Sequence, residues 1–273
     1  MCFSNSTISE ISKVAQSNNL NIEFSSSLKH NLSNVNIFNK FKINSKLIHN
    51  YFPAPKNPFV LNLASKNNEI RELSIKHCIS NIELSAKNKI NFYAAHAGFC
   101  IDPELNSLGE FIQLKKGFVR SEHLGIFIES LNKILRVAES LKVNFYIENN
   151  VISNQNFSKN GNINSFLCCD AEEINYIFKK VKNDYFGLLL DTAHLKVSSS
   201  TLNLNPIEEV NKILYHIGAI HHSDNNGKID SNDPLDKNYW FLKFKKKFDT
   251  WSHIIEVKNL TLKQINEQVR IIS

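Results

Sequence analysis

Six side chains able to bind a divalent cation fall at, or one residue from, the ends of short apolar runs. They are His49 in KLIHNY, His96 in FYAAHAGF, Glu148 in FYIENN, Asp191 in GLLLDTAH, His221 in AIHHSD and Glu256 in HIIEVK. Runs of this kind, rich in β-branched and aromatic residues and bounded by polar ones, read as buried strands. A carboxylate that closes a buried strand is costly unless a cation or strong donors meet it. Glu148 follows VNFYI, Asp191 follows GLLL and Glu256 follows HII, and three such carboxylates brought to one place would repel one another. A divalent metal resolves the repulsion. The oxygen-rich set Glu148, Asp191, His221 and Glu256, with its one imidazole, suits Mn, Mg, Co or Zn.

Side chains alternate along a strand, so only one of the adjacent His221 and His222 can face the same way as the other ligands. His221 is the choice here, with His222 as the register alternative. Asp191 and His194 span the turn after their strand, which puts His194 within reach of the same pocket.

Ligands delivered one per strand require strands that end on one face. Strand candidates lie at about 1–5, 20–25, 46–51, 90–96, 143–148, 186–191, 217–222 and 252–257, eight in all. Between them run segments of helical spacing, such as Leu124, Phe127, Ile128, Leu131, Ile134, Leu135 and Ala138, or Leu262, Ile265 and Val269. The stretch 28–42 is the weakest helix candidate. Strands apolar almost throughout, such as FGLLL and FYIE, indicate a parallel sheet covered on both faces. Repeated βα units allow an open sheet or a closed barrel. Ligands spread over six of eight strands favour closure, because an open sheet would line them up too far apart for one metal site. The expected fold is therefore α/β, a (β/α)8 TIM barrel. With 273 residues and no linker, the whole of 1–273 reads as one domain. The longer loops follow the strands on the ligand-bearing face, where substrate would be enclosed.

Hydrophobic residues at 42% and charged residues at 21% are ordinary globular values and leave a sizeable core. The 32 basic and 26 acidic residues leave a net charge of +6, a mild excess that only slightly raises a polyanion-binding reading. The run Lys243 to Lys247 is expected on a helix as a solvated face, and Lys196 and Arg120 as surface cations rather than phosphate holders. Five cysteines without a C-x-x-C pair make neither a disulfide framework nor a thiolate zinc site and point to a reducing compartment. No apolar run reaches the length of a membrane span and the first residues do not form a leader, so a cytoplasmic protein is expected. Glycine-rich dinucleotide loops and Walker motifs are absent from the sequence.

The strings HNYFPAPKNPFVLNLAS, FYAAHAGF, YIENN, GLLLDTAHLKVS, HHSDNNGKID and IIEVK, in this order from about residue 45 onward, resemble the xylose-isomerase-like TIM barrels. That superfamily joins sugar (phosphate) isomerases and epimerases to the bacterial apurinic endonuclease that uses three zinc ions. The resemblance implies an epimerase-type metal set on Glu148, Asp191, His221 and Glu256. The endonuclease pattern adds His49 and His96 for a second ion, and His194, Asp230 and a further His for a third. Asn232 stands where that last His belongs, and a neutral amide is a poor zinc ligand. The loop between His49 and Asn62 is also longer than the endonuclease pattern.

The leading expectation is thus a metal-dependent isomerase or epimerase of a sugar or sugar phosphate, using one or two divalent ions and an enediolate. Glu148 and Glu256 are the expected bases, and His194, Asn62 and Asp230 the expected substrate contacts. The alternative is a metal-dependent phosphodiesterase of the apurinic endonuclease type, the one reading in which nucleic acid is the partner.

Overall fold

The computed structural model describes residues 6–25, 28–114 and 117–273. Among them are seven strands: β1 (Ile22–Phe24), β2 (Lys46–Ile48), β3 (Phe92–His96), β4 (Asn144–Glu148), β5 (Phe186–Asp191), β6 (Ile217–His222) and β7 (Ser252–Ile255). Every pairing is parallel. β1 pairs with β2, and β3 to β7 follow one another in chain order. A bridge between His49 and Ala94 joins the two groups. Each strand therefore lies beside the next in sequence, the order a βα barrel requires. The strand expected at 1–5 lies outside the described residues.

Helices return the chain between strands: α1 (Ile8–Ser17), α2 (Asn34–Lys40), α3 (Asn68–Lys87), α4 (Arg120–Leu141), α5 (Asn154–Ser158), α6 (Ala171–Lys180), α7 (Thr192–Leu202), α8 (Pro206–Ile213) and α9 (Leu262–Ile272). Their starts are set by local chemistry. Thr7 and Glu10 form a capping box on α1, and the side chains of Asn67, Asp170, Asp191 and Asn205 accept the first free N–H groups of α3, α6, α7 and α8. The weak segment 28–42 contains the short α2. The expected α-helix around Lys243 to Lys247 is instead a 3-10 segment, Trp240–Thr250, which turns Phe241, Phe244 and Phe248 inward and leaves the lysines in solvent. No helix among the described residues is long and apolar enough to cross a membrane.

The alternation of side chains divides the core. Outward residues such as Tyr93, Phe145, Ile147, Leu188, Leu190 and Ile220 pack with the helices in one continuous cluster. Inward residues form a smaller cluster of Phe92, Ala94, Leu189 and Ala219, with Leu47, Tyr146 and Ile254 packed on it. Two residues beyond a member of this inner cluster, on each strand, comes a candidate ligand: Leu47 leads to His49, Ala94 to His96, Tyr146 to Glu148, Leu189 to Asp191, Ala219 to His221 and Ile254 to Glu256. A period of two carries all six to the inner face at the C-terminal strand ends.

The floor beneath them is set by Tyr146. Its ring lies where a Cβ on Gly187 or Gly218 would have to be. Gly218 is also the extra residue of a register shift, since Leu188 pairs with Ile217 but Leu189 with Ala219. Adding a methyl group at Gly187 should force the Tyr146 ring aside and cost about 1–3 kcal/mol. Denaturant unfolding of Gly187→Ala checks this, and a wild-type midpoint would show that the ring yields freely.

Candidate metal centre

His221 and His222 illustrate how the pleat decides which side chain faces the inner surface. His221 is fully buried on the inner face. His222 faces outward among Tyr239, Phe241, Phe248 and His253, with its Nε2 2.7 Å from His253 Nδ1.

All six residues singled out at the strand ends meet at one place, in two clusters that share Glu148. The first is His49, His96 and Glu148; the second is Glu148, Asp191, His221 and Glu256; in each, the donor atoms lie within 4.8 Å of one another. Glu148 divides its carboxylate between them. Oε2 is 2.9 Å from His49 Nε2 and 3.0 Å from His96 Nδ1, whereas Oε1 is 3.2 Å from His221 Nδ1. Glu256 Oε2 lies 2.7 Å from the same His221 Nδ1. The two glutamates differ in access: the Glu148 side chain is 1% exposed and that of Glu256 is 21% exposed.

The donors fit a cation. His49 Nε2, Glu148 Oε2, Asp191 Oδ2 and His221 Nδ1 are buried and, among the described residues, have no hydrogen-bond partner of acceptable geometry, although carboxylate oxygens and imidazole nitrogens lie within 3.2 Å of one another. Buried polar atoms that crowd together without hydrogen bonds call for a partner, and a shared cation would supply one. Oxygen and imidazole donors of this number suit Zn, Mn or Co in the four-residue cluster and an imidazole-rich site for the other.

Without a cation the charges are balanced by protons. Burial opposes charge on His221, but Glu23, Glu256 and Glu148 outweigh it and hold the imidazole well above its ordinary range. Burial and then Asp191, Asp230 and Glu148 act in the same way on His194. Burial pushes Asp191 up to about 8, helped by Glu256, Asp230 and Glu148 against His194. Burial takes His96 down to about 4 despite Glu148. Glu256 goes the other way, to about 2, because His221 overcomes its burial.

The signs fix a pH dependence. For Asp191, His194 and His221 the folded chain keeps a proton at a pH where the unfolded chain has lost it, so their contribution to stability is present at low pH and declines as pH rises, that of Asp191 being lost by about 8 and those of the two histidines only above their ordinary range. A divalent ion bound at the four-residue cluster would displace the protons of Asp191 and His221 and be held more tightly as pH rises. The stabilisation by Zn²⁺ or Mn²⁺ in thermal unfolding should therefore grow from about pH 6 to about pH 9, while the metal-free protein weakens over the same range. A gain independent of pH would show that no protons leave on binding.

Around the clusters, His194 Nδ1 donates to Asn149 O at 2.8 Å, which turns Nε2 toward Asp230 Oδ2 at 3.3 Å and Asp191 Oδ2 at 3.9 Å. His194 and Asp230 are thus at the site. Asn232 is not turned to them: it has φ +51°, and its amide donates to Ser223 Oγ at 3.3 Å. The Asn149 side chain continues the β4–β5 ladder, accepting from Asp191 N at 2.7 Å and donating to Asp191 O at 3.1 Å, which locks the ends of the two carboxylate-bearing strands.

Three expectations need correction. Asn62 is expected from the sequence to contact substrate, but its side chain is consumed by the scaffold. Nδ2 donates to Ile101 O and Asp102 Oδ1, both at 2.8 Å, and Oδ1 accepts from Phe99 N at 2.9 Å and Ala64 N at 3.1 Å. It ties the end of the long loop after β2 to the loop after β3. Arg120 is no ordinary surface cation, because it grips Glu173 with two nitrogens at 2.7 and 2.9 Å and caps the carbonyls of Asn164 and Phe166. Lys196 is likewise held by Asp224 Oδ1 at 2.5 Å and Asn225 O at 2.6 Å.

One residue escapes notice in the sequence. Glu23, in the middle of β1, reaches inward and accepts from His221 Nε2 at 2.8 Å. It also forms a group with His49 and His221 whose donor atoms lie within 4.8 Å of one another. Its signal, a lone carboxylate between Ile22 and Phe24 in a strand of three, is present but sits away from the strand end.

A parallel βα sheet carrying its donors at the C-terminal strand ends is the architecture of a TIM barrel with a metal site at its mouth. Residues 3–270 match the xylose isomerase-like TIM barrel family, and the chain belongs to it. Among curated proteins, it is 25% identical over 193 residues to the probable endonuclease 4 of Aquifex aeolicus (strain VF5), a match covering 67% of this chain and 60% of that protein's length. Among solved structures, it is similar to a D-tagatose 3-epimerase-like protein, with a TM-score of 0.67 and 21% identity over 93% of this chain and 86% of the other. It is also similar to a Thermus thermophilus protein from a crystal soaked with ZnCl2, with a TM-score of 0.65 and 16% identity over 97% of this chain and 93% of the other. At these identities the structural likenesses speak for the fold.

Proposed function

We propose that this protein is a metal-dependent sugar isomerase that shifts a carbonyl between adjacent carbons, with Glu256 as the base and Glu148 shared between two divalent cations. The observation that carries the reading is the unequal standing of the two glutamates. Glu148, 1% exposed, has both oxygens faced by imidazoles and neither free for substrate. Glu256, 21% exposed, turns Oε2 to His221 and is the glutamate a substrate at the mouth could reach.

A cation at the four-residue cluster would make the C–H beside a carbonyl more acidic and stabilise the enediolate. Glu256 would then take a proton from one carbon and return it to the next on the same face, while the hydroxyl proton passes from the one oxygen to the other, which interconverts aldose and ketose. Inversion at a single carbon needs a second proton carrier on the opposite face, and Glu148 is not free to be one. His194, with Nδ1 held by Asn149, presents Nε2 to the mouth, where it and Asp230 would orient a substrate hydroxyl. The commitment of Arg120 and Lys196 to internal pairs favours a sugar without phosphate.

Phosphodiester cleavage is the second reading. It is favoured by the His49, His96 and Glu148 cluster, since two ions sharing a carboxylate are suited to in-line displacement at phosphorus, and by the Aquifex relative. Against a three-ion endonuclease stands Asn232, whose amide serves Ser223.

Incubation with a panel of aldoses and ketoses in heavy water, with Zn²⁺, Mn²⁺, Mg²⁺ or Co²⁺ added, separates the two. The isomerase should place deuterium beside the carbonyl and stop on chelation. Nicking of abasic duplex DNA, abolished by His49→Ala and accompanied by no exchange in any sugar, would overturn the isomerase and establish the second reading.

A further inference from the structure

We propose that Glu23 is a positioning residue of the metal centre: it holds His221 with the proton on Nε2 and the Nδ1 lone pair turned to the cluster, and so strengthens cation binding. The proposal rests on His221 being a ligand. His221 is fully buried between carboxylates on both edges of its ring, with Glu23 Oε2 2.8 Å from Nε2 and Glu256 Oε2 2.7 Å and Glu148 Oε1 3.2 Å from Nδ1. A neutral imidazole in that setting has two tautomers. With the proton on Nδ1, the bare Nε2 would face the Glu23 carboxylate, lone pair against lone pair. With the proton on Nε2, Glu23 accepts it and Nδ1 is free to bind a cation.

Glu23 adds charge as well as orientation. Its side chain is 8% exposed and its Oε1 is buried with no hydrogen-bond partner among the described residues. A buried, half-satisfied carboxylate is costly where it serves only the fold. Here it lies beside imidazoles of both clusters, His49 and His221, while standing outside the two ligand sets that share Glu148. One negative charge at that position favours positive charge in either cluster and fixes the ring that the four-residue cluster depends on.

The test compares Glu23→Ala, Glu23→Gln and His221→Ala in the full chain. Zn²⁺ affinity is measured by competition with a chromophoric chelator, and the His221 tautomer by 15N-labelled histidine spectra of the Zn²⁺-loaded protein. E23A should bind Zn²⁺ about 10–100-fold more weakly than wild type. E23Q, whose amide oxygen still accepts from Nε2 without the charge, should keep the Nε2–H tautomer and fall between the two. If E23A does not fold, E23Q carries the test, and wild-type affinity in it overturns the proposal. If H221A weakens binding while folded E23A binds as wild type does, the positioning role is wrong and His221 stands as a ligand. If H221A itself binds as wild type does, the ligand reading fails and the proposal with it.

Discussion

Glu148→Gln is expected to release the ions from both clusters at once and to leave activity at or below about a thousandth of wild type. The carboxylate is the one group common to the two ligand sets, with Oε2 toward His49 and His96 and Oε1 toward His221. Glutamine keeps the volume, so the core beneath should survive. It replaces one oxygen with an NH₂ that cannot bind a cation and cannot be turned away from both clusters, because the side chain has an imidazole on each side. Metal content of the purified variant, with circular dichroism to confirm folding, checks the outcome. A variant that keeps one tightly held ion would show that the clusters are independent and that Glu148 serves only one of them.

Glu256→Gln is expected to be different in kind. The side chain is partly open at the mouth and glutamine empties no core volume, but it removes the carboxylate 2.7 Å from buried His221, so the metal-free protein should stay folded with a lowered thermal midpoint. Turnover should fall by about 10²–10⁴-fold, the usual contribution of a general base, because the amide cannot take up a proton. The first cluster, His49, His96 and Glu148, should still bind its ion. Steady-state rates in a metal-loaded variant make the check, and near-normal turnover would remove Glu256 from the mechanism.

The convergence of the six strand-end side chains is legible because two local rules coincide at them. Apolar runs mark the strands, and the pleat carries every second residue inward, so Leu47 and His49, or Leu189 and Asp191, declare one face. The same rule separates His221 from His222. What the sequence does not disclose depends on partners far along the chain. Asn62 has the look of a polar substrate contact, but three of the four hydrogen bonds of its amide go to residues 37 to 40 positions away. Arg120 finds Glu173 at a separation of 53 residues, and Glu23 finds His221 at 198. No periodicity reports such pairs. The Trp240–Thr250 segment shows another limit. Its Phe241, Phe244 and Phe248 have the spacing of an α-helix, but packing of the aromatic rings around His222 accompanies the tighter 3-10 winding.

Counting metal ions per chain tests the shared-carboxylate centre most directly. Protein reconstituted with Zn²⁺ or Mn²⁺ and freed of excess by gel filtration should carry two ions. Replacement of His49 and His96 together by alanine should reduce the count to one, with the remaining ion held by Glu148, Asp191, His221 and Glu256. A single ion in the wild-type chain, undiminished by loss of the two histidines, would contradict it.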